Sequence, residues 1–153
     1  MTKLEVLKRC PFVRELDDAQ LSEIAKLGKF EEYKPGENVC RQGRSQEKIY
    51  VIEEGLVGLY LELGPVTQRQ IQTASNFEVV GWSAMLPPFR CTAMVRAIES
   101  TRVLAFDGKE LIDLCNTRPD IGNKVHRGLA SAIAVRLHNA FTQLMGVCVQ
   151  DAV

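Results

Sequence analysis

Two histidines, His126 and His138, are all that the sequence contains, and neither stands in a strand-like run. A metal-dependent β-barrel enzyme takes three or four protein ligands, usually histidine, so that activity fails on ligand count. The five cysteines (Cys10, Cys40, Cys91, Cys115 and Cys148) are widely spaced and never form C-x-x-C. A zinc or iron–sulfur site wants close pairs of thiolates, so these read as reduced, mostly buried thiols. Net charge is missing as well: 19 Lys and Arg offset 19 Asp and Glu. No global basic field, and no tight cluster of basic residues, exists to draw in nucleic acid or an anionic membrane. The apolar runs fall short of the ~18–20 residues that a membrane span requires. The N-terminus, MTKLEVLKRC, has no uninterrupted apolar segment and is not a secretory signal. The expectation is a cytoplasmic protein with no catalytic machinery.

What is present is a chain of 153 residues, 46% hydrophobic, the size of one domain with a core of its own. It divides into N-terminal helices over 1–28, a barrel over 30–107 and C-terminal helices over 108–150. Asp17 and Gln20 have the spacing of a capping box, and Leu21, Ile24 and Leu27 follow at helical intervals. They predict a helix over about 18–27, with a shorter amphipathic piece around Leu4–Lys8. From Phe30 the period changes. Short β-type runs at Phe30–Tyr33, Asn38–Cys40, Ile49–Glu53, Leu56–Leu63, Thr67–Thr73, Ala93–Ile98 and Val103–Phe106 are separated by turn residues such as Pro35-Gly36, Gly43 and Gly64-Pro65. In the fourth run Val57, Leu59, Leu61 and Leu63 alternate with Gly58, Tyr60 and Glu62, the period of a half-buried strand. Seven or eight short strands without long helices between them indicate an antiparallel jelly roll, mainly β, with flanking helices. One interruption, Gly81–Pro88, leaves room for a single helical turn over Trp82–Leu86.

After Phe106 the helical period returns. A short helix ends near Pro119, and Asp120 is placed to cap a long one. Along it Ala130, Ile133, Leu137, Ala140, Leu144 and Val147 are spaced 3, 4, 3, 4, 3, an a/d seam that predicts pairing with a second copy. Ile121, Val125, Leu129 and Ala132 form another stripe suited to packing on the barrel. The two histidines on this helix read as exposed or hydrogen-bonded residues, not metal ligands.

Taken together, Tyr33-Lys34-Pro35-Gly36-Glu37, Gln42-Gly43, Tyr50-Val51-Ile52-Glu53-Glu54-Gly55, Gly81, Val95-Arg96-Ala97 and Leu104-Ala105-Phe106-Asp107 resemble the cyclic-nucleotide-binding domain family, as in the sensor half of bacterial Crp/Fnr-type regulators. The likeness runs from about Leu4 to Leu144. It implies a double-stranded β-helix whose internal helix is a phosphate-binding cassette. There, backbone N–H groups hold the phosphate, an Arg pairs with it and a Glu accepts from the ribose 2′-hydroxyl. In this sequence Trp82 stands where that Glu belongs and Cys91 where that Arg belongs, with Arg90 one residue early. A shift of one residue in a strand turns a side chain to the opposite face.

The resemblance makes Gly81, Trp82, Ser83, Ala84, Arg90, Cys91 and Thr92 the candidate ligand-binding residues. The N–H groups of Ser83 and Ala84 remain to meet an anion, and Trp82 and Phe89 to face an apolar or aromatic ligand. No cofactor is identified with certainty. A small-molecule effector is permitted, either a cyclic nucleotide or another anionic or aromatic ligand. Three readings stay open: a ligand-sensing regulatory module that does not bind cAMP or cGMP in the usual way, a functional cyclic-nucleotide-binding domain, and a structural dimerisation domain with a collapsed pocket. A homodimer through the C-terminal helix is expected, with a protein partner also possible in kind. A helix-turn-helix would need several dozen residues beyond Val153, so direct reading of DNA by this chain is not expected. The chain acts through another protein or is one part of a longer one.

Overall fold

The computed structural model describes the backbone of residues 1–152 and the side chains of 1–146. Helix α1 (Lys3–Arg9) is capped by Thr2 and followed by a 3-10 turn, Pro11–Val13. Helix α2 (Asp18–Ala25) begins on a reciprocal capping box. The Asp17 carboxylate accepts from Gln20 N at 2.8 Å, and the Gln20 amide oxygen accepts from Asp17 N at 3.1 Å. Eight strands follow: β1 (Lys29–Tyr33), β2 (Asn38–Cys40), β3 (Lys48–Glu54), β4 (Leu56–Glu62), β5 (Gln68–Ser75), β6 (Val79–Val80), β7 (Met94–Ala97) and β8 (Thr101–Asp107). They form two four-stranded antiparallel sheets, ordered β1-β8-β3-β6 and β2-β7-β4-β5. Helices α3 (Gly108–Thr117) and α4 (Pro119–Ala152) close the chain.

Both faces of β3 and β8 are covered, which explains why they read as nearly continuous apolar runs. Ile49 and Val51, with Leu104 and Phe106, face the helices and join Val6, Leu7, Leu21, Ile24, Leu111, Ile121, Val125 and Leu129 in one core. Tyr50 and Ile52, with Val103 and Ala105, face the barrel interior and join Val57, Leu59, Val80 and Val95 in a second. Successive side chains of a strand point to opposite faces, so the same two strands supply both cores.

The long helix sits close on the barrel's helical cap. A Cβ at Gly128 would overlap the Phe12 carbonyl oxygen, so α4 crosses the 3-10 turn at a distance only glycine allows.

Two expectations need correction, and one strand was not foreseen. The alternation in β4 does not run to Leu63, which is more than half exposed; β4 ends at Glu62, and its pairing with β5 skips a residue between Leu59 and Tyr60. Leu63 lies past the end of the strand, and the extra residue of the bulge, Ile71, is on β5. Strand β6, two residues long, carried no period at all. Asp120 does not cap α4: the helix begins at Pro119, and the Asp120 carboxylate instead accepts from Arg118 and from the Gln20 side chain.

Candidate functional site

The interruption in the barrel is a 3-10 turn, Trp82–Met85, shorter by one residue than expected. Gly81 precedes it with φ 79°, and a Cβ there would lie 2.9 Å from the Lys48 carbonyl oxygen. Glycine is required on both counts, by the left-handed backbone and by the approach of β3. Gly81, Trp82 and Ser83 line a cleft together with Cys40, Gln46, Leu59, Cys91, Thr92, Ala93 and Val95. Its volume is about 30 Å³. Ligand pockets for small molecules run to roughly 300–1,000 Å³, while one water in the liquid takes about 30 Å³. The cleft has room for water.

Five of the seven candidate residues, Gly81, Trp82, Ser83, Cys91 and Thr92, come together on this cleft. Trp82 also packs against the helix-side core, so the indole lies between the core and the cleft. Ala84 and Arg90 are elsewhere. Ala84 is buried in the helix-side core, and its N–H donates to the Gly81 carbonyl at 3.1 Å. The anion donor expected of it is therefore spent within the 3-10 turn, leaving Ser83 N–H alone of the pair. Arg90 is exposed and is bridged through its backbone to Ser45, whereas Cys91 beside it is buried. The side chains of two successive extended residues diverge, and no bulge restores the arginine to the interior. Phe89, expected beside Trp82, instead lines a separate surface cavity with Ser45, Pro88, Lys109 and Ile112.

Sequence reasoning missed Cys40. It lies on β2, 51 residues before Cys91, and no local spacing relates the two. Antiparallel pairing of β2 with β7 brings Cys40 opposite Val95 and its Sγ to 2.8 Å from the Sγ of Cys91. The thiols share the Ala93 carbonyl as acceptor, at 2.6 Å from Cys91 and 3.8 Å from Cys40. The hydrogen bond between the two sulfurs lowers the Cys91 pKa against the opposing effect of burial. Cys40 moves the other way, raised by that same bond and by its own burial. Gln46, also missed, is buried in the wall of the cleft and donates to the Lys48 carbonyl at 2.6 Å.

A second polar cluster ties α4 to the barrel. The Arg136 guanidinium donates to the Thr73 carbonyl at 2.7 Å, to Gln72 Oε1 at 3.2 Å and to Glu78 Oε2 at 3.0 Å. The Gln72 amide donates back to the Arg136 carbonyl at 3.0 Å, and the Gln143 amide donates to the Ile71 carbonyl. Ile133 packs on the helix-side core, and Ala140 is half-buried. Leu137 and Leu144 of the expected seam, with Phe141 and Met145, are more than half exposed, as is Val135; Ala130 is exposed too. The Val147 side chain lies outside the described residues. His126 Nδ1 lies 2.7 Å from the Gly122 carbonyl of its own helix, and among the described residues no three potential metal ligands gather. Nor is any described helix long and apolar enough to cross a membrane.

Comparison with known proteins accords with this geometry. The chain is 29% identical over 122 residues to a candidate potassium channel protein of Rhodopseudomonas palustris, covering 80% of this chain and 29% of that protein. It thus spans under a third of the length of that curated relative. A cyclic nucleotide-binding domain from Methylobacillus flagellatus superposes with a TM-score of 0.82 at 14% identity, over 95% of this chain and 82% of that one. A regulatory subunit of a cAMP-independent protein kinase A from Trypanosoma brucei superposes with a TM-score of 0.78 at 20% identity, over 95% of this chain and 50% of that one. That structure is of a triple mutant, one of whose substitutions introduces an arginine, bound to cAMP. The family model for the cyclic nucleotide-binding domain matches residues 30–118. With its barrel, its internal turn after Gly81 and more than half its length matched, this chain belongs to the cyclic nucleotide-binding domain family.

Proposed function

We propose that this chain is a regulatory module of its family that does not take cAMP or cGMP in the usual way, and that it acts through α4. The observation that carries this reading is the cleft itself, about 30 Å³ and lined by Trp82 and Cys91. An indole has one donor and no acceptor, so Trp82 cannot receive the ribose hydroxyl, and its bulk occupies the space. A neutral thiol at Cys91 leaves a buried phosphate without a cation, and Arg90 points to solvent. Calorimetry with millimolar cAMP and cGMP tests the reading. The expected result is weak or no heat of binding; a dissociation constant in the low micromolar range overturns it.

The same module pairs with a second copy. The barrel-facing stripe of α4 runs through Val125, Leu129, Ile133, Arg136 and Ala140, leaving Ala130, Ala134, Leu137, Phe141 and Leu144 on the open face. Those five positions keep the 4, 3, 4, 3 spacing of a coiled-coil seam, displaced by one residue at two places from the register read in the sequence. Arg136, Gln72 and Gln143 then join the dimer helix to the barrel wall, so that a change at either reaches the other.

The closed cleft favours a second reading, a structural dimerisation domain with no effector. Native mass spectrometry of the purified protein separates the two: a bound small molecule supports sensing, and a bare dimer supports the structural role.

A further inference from the structure

We infer that Cys40 and Cys91 form a peroxide-oxidisable dithiol, closing as an intramolecular disulfide across the cleft. Their sulfurs stand 2.8 Å apart, inside the contact distance of two non-bonded sulfurs. Less than an ångström of movement separates this from a disulfide bond of about 2.0 Å. Cys40 ends strand β2 and Cys91 lies three residues before β7, in a segment pinned on both sides. The Cys91 N–H donates to the Arg44 carbonyl at 2.8 Å, and its carbonyl accepts from Gly43 N at 2.8 Å. The pair is therefore placed by the β2–β7 wall and the loop between β2 and β3, not by chance approach of mobile side chains.

The oxidant is defined by size. The cleft of about 30 Å³ admits a molecule of the dimensions of water, and hydrogen peroxide is little larger. Cys40 also borders an outer cavity of about 310 Å³ with Arg41 and Arg44, which Cys91 does not line. The chemistry balances in two steps. The Cys91 thiolate attacks one peroxide oxygen; the S–O bond forms, the O–O bond breaks, and hydroxide leaves to take up the proton that Cys91 released. Cys40 sulfur then attacks Cys91 sulfur; the S–S bond forms, the S–O bond breaks, and water departs with the Cys40 proton. Two thiols and one peroxide give one disulfide and two waters. Cys91 takes the first attack because the hydrogen bond between the two sulfurs lowers its thiol pKa while that of Cys40 is raised, which makes Cys91 the better nucleophile. Cys10 and Cys115 are buried, and burial raises both thiols, Cys10 to about 11, which makes them poor competitors.

This assignment rests on the sulfur geometry and stands apart from the nucleotide reading. The test treats the reduced full-length protein with stoichiometric hydrogen peroxide, quenches, and reads intact mass, free thiols and a non-reducing peptide map. The expected monomer mass falls by two hydrogens, the thiol count falls from five to three, and the map joins the peptides of Cys40 and Cys91. Cys40→Ser should stop at a sulfenic acid on Cys91 that dimedone traps, and Cys91→Ser should lose both products. Oxygen adducts without the crosslink in the unmodified protein, a bridge involving any other cysteine, or a dimer linked through Cys148 in its place would each overturn the assignment. The peptide map of the unmodified protein decides it even where a variant fails to fold.

Discussion

Arg136 on α4 and Glu78 beside β6 meet at 3.0 Å, in an ion pair whose arginine is only 11% exposed. The guanidinium also donates to the Thr73 carbonyl and to Gln72, so one side chain joins α4, β5 and the turn after it. Charge-assisted hydrogen bonds contribute about 1.5–3 kcal/mol each when removal leaves a partner unpaired. Arg136→Met keeps the aliphatic stem and removes the fork. The expected outcome is a loss of roughly 2 kcal/mol in denaturant unfolding, with amides of the second half of α4 exchanging faster while those of Ile121–Leu129 are unchanged. Protection lost evenly along the helix would show that Arg136 does not govern its distal half.

Gly128→Ala sets two effects against each other. Alanine favours a helix over glycine by about 1 kcal/mol. Here, though, the added methyl would overlap the Phe12 carbonyl oxygen, and overpacking costs about 1–3 kcal/mol. The neighbour is backbone in a short 3-10 turn and has little room to give. The variant should be less stable than the parent in a thermal melt, the reverse of the propensity effect.

Leu137 and Phe141 are exposed neighbours one turn apart on the open face of α4. Changed together to Asp, they should turn the proposed dimer into monomers by light scattering and leave the circular dichroism of the barrel unaltered. Ile133→Ala should act differently, lowering stability by about 2–4 kcal/mol at most, since that side chain is only partly buried against the core. If Leu137→Asp with Phe141→Asp leaves a dimer intact, the open face is not the interface.

The double change Trp82→Glu with Cys91→Arg restores an acceptor and a cation at the cleft. Each recovered contact of about 1.4 kcal/mol is tenfold in affinity. Binding of cAMP should therefore tighten by roughly a hundredfold over the parent. No improvement would mean that the shape of the cleft, and not these two contacts, excludes the nucleotide.

Asp120 gives a dependence on pH. Hydrogen bonds from Arg118 and then from Gln20 hold its carboxyl well below the ordinary value of 3.8. A depressed folded-state pKa contributes stability above the unfolded value, and that contribution is lost as pH falls from there through the folded one. The difference in melting temperature between the protein and Asp120→Asn should thus be constant near neutrality and shrink below about pH 4. A difference that persists unchanged into strong acid would remove the carboxylate from the account.

How much of this was legible beforehand depends on the range over which each feature is encoded. Asp17 and Gln20, three residues apart, announce their capping box in the chain itself, as do the short strands between turn residues and the glycine before the 3-10 turn. Trp82 and Cys91 were visible as replacements because they occupy fixed places in a family pattern. The opposite faces of Arg90 and Cys91 followed from the two-residue period of extended chain.

Other features could be decided only by folding. The register of β2 on β7 brings Cys40 and Cys91 together across 51 residues, and nothing in local periodicity encodes a pairing at that separation. A heptad pattern likewise cannot say which of two adjacent stripes the barrel will claim. Once Gly128 has set α4 on Phe12, the rotation of the helix gives Ile133, Arg136 and Ala140 to the barrel and Leu137 and Phe141 to solvent. Sequence determined that this helix is amphipathic and that the barrel has a turn inside it, because both are short-range periodicities. Tertiary contact alone decided which face is free and how small the cleft is, because both depend on the distances at which separate elements come to rest.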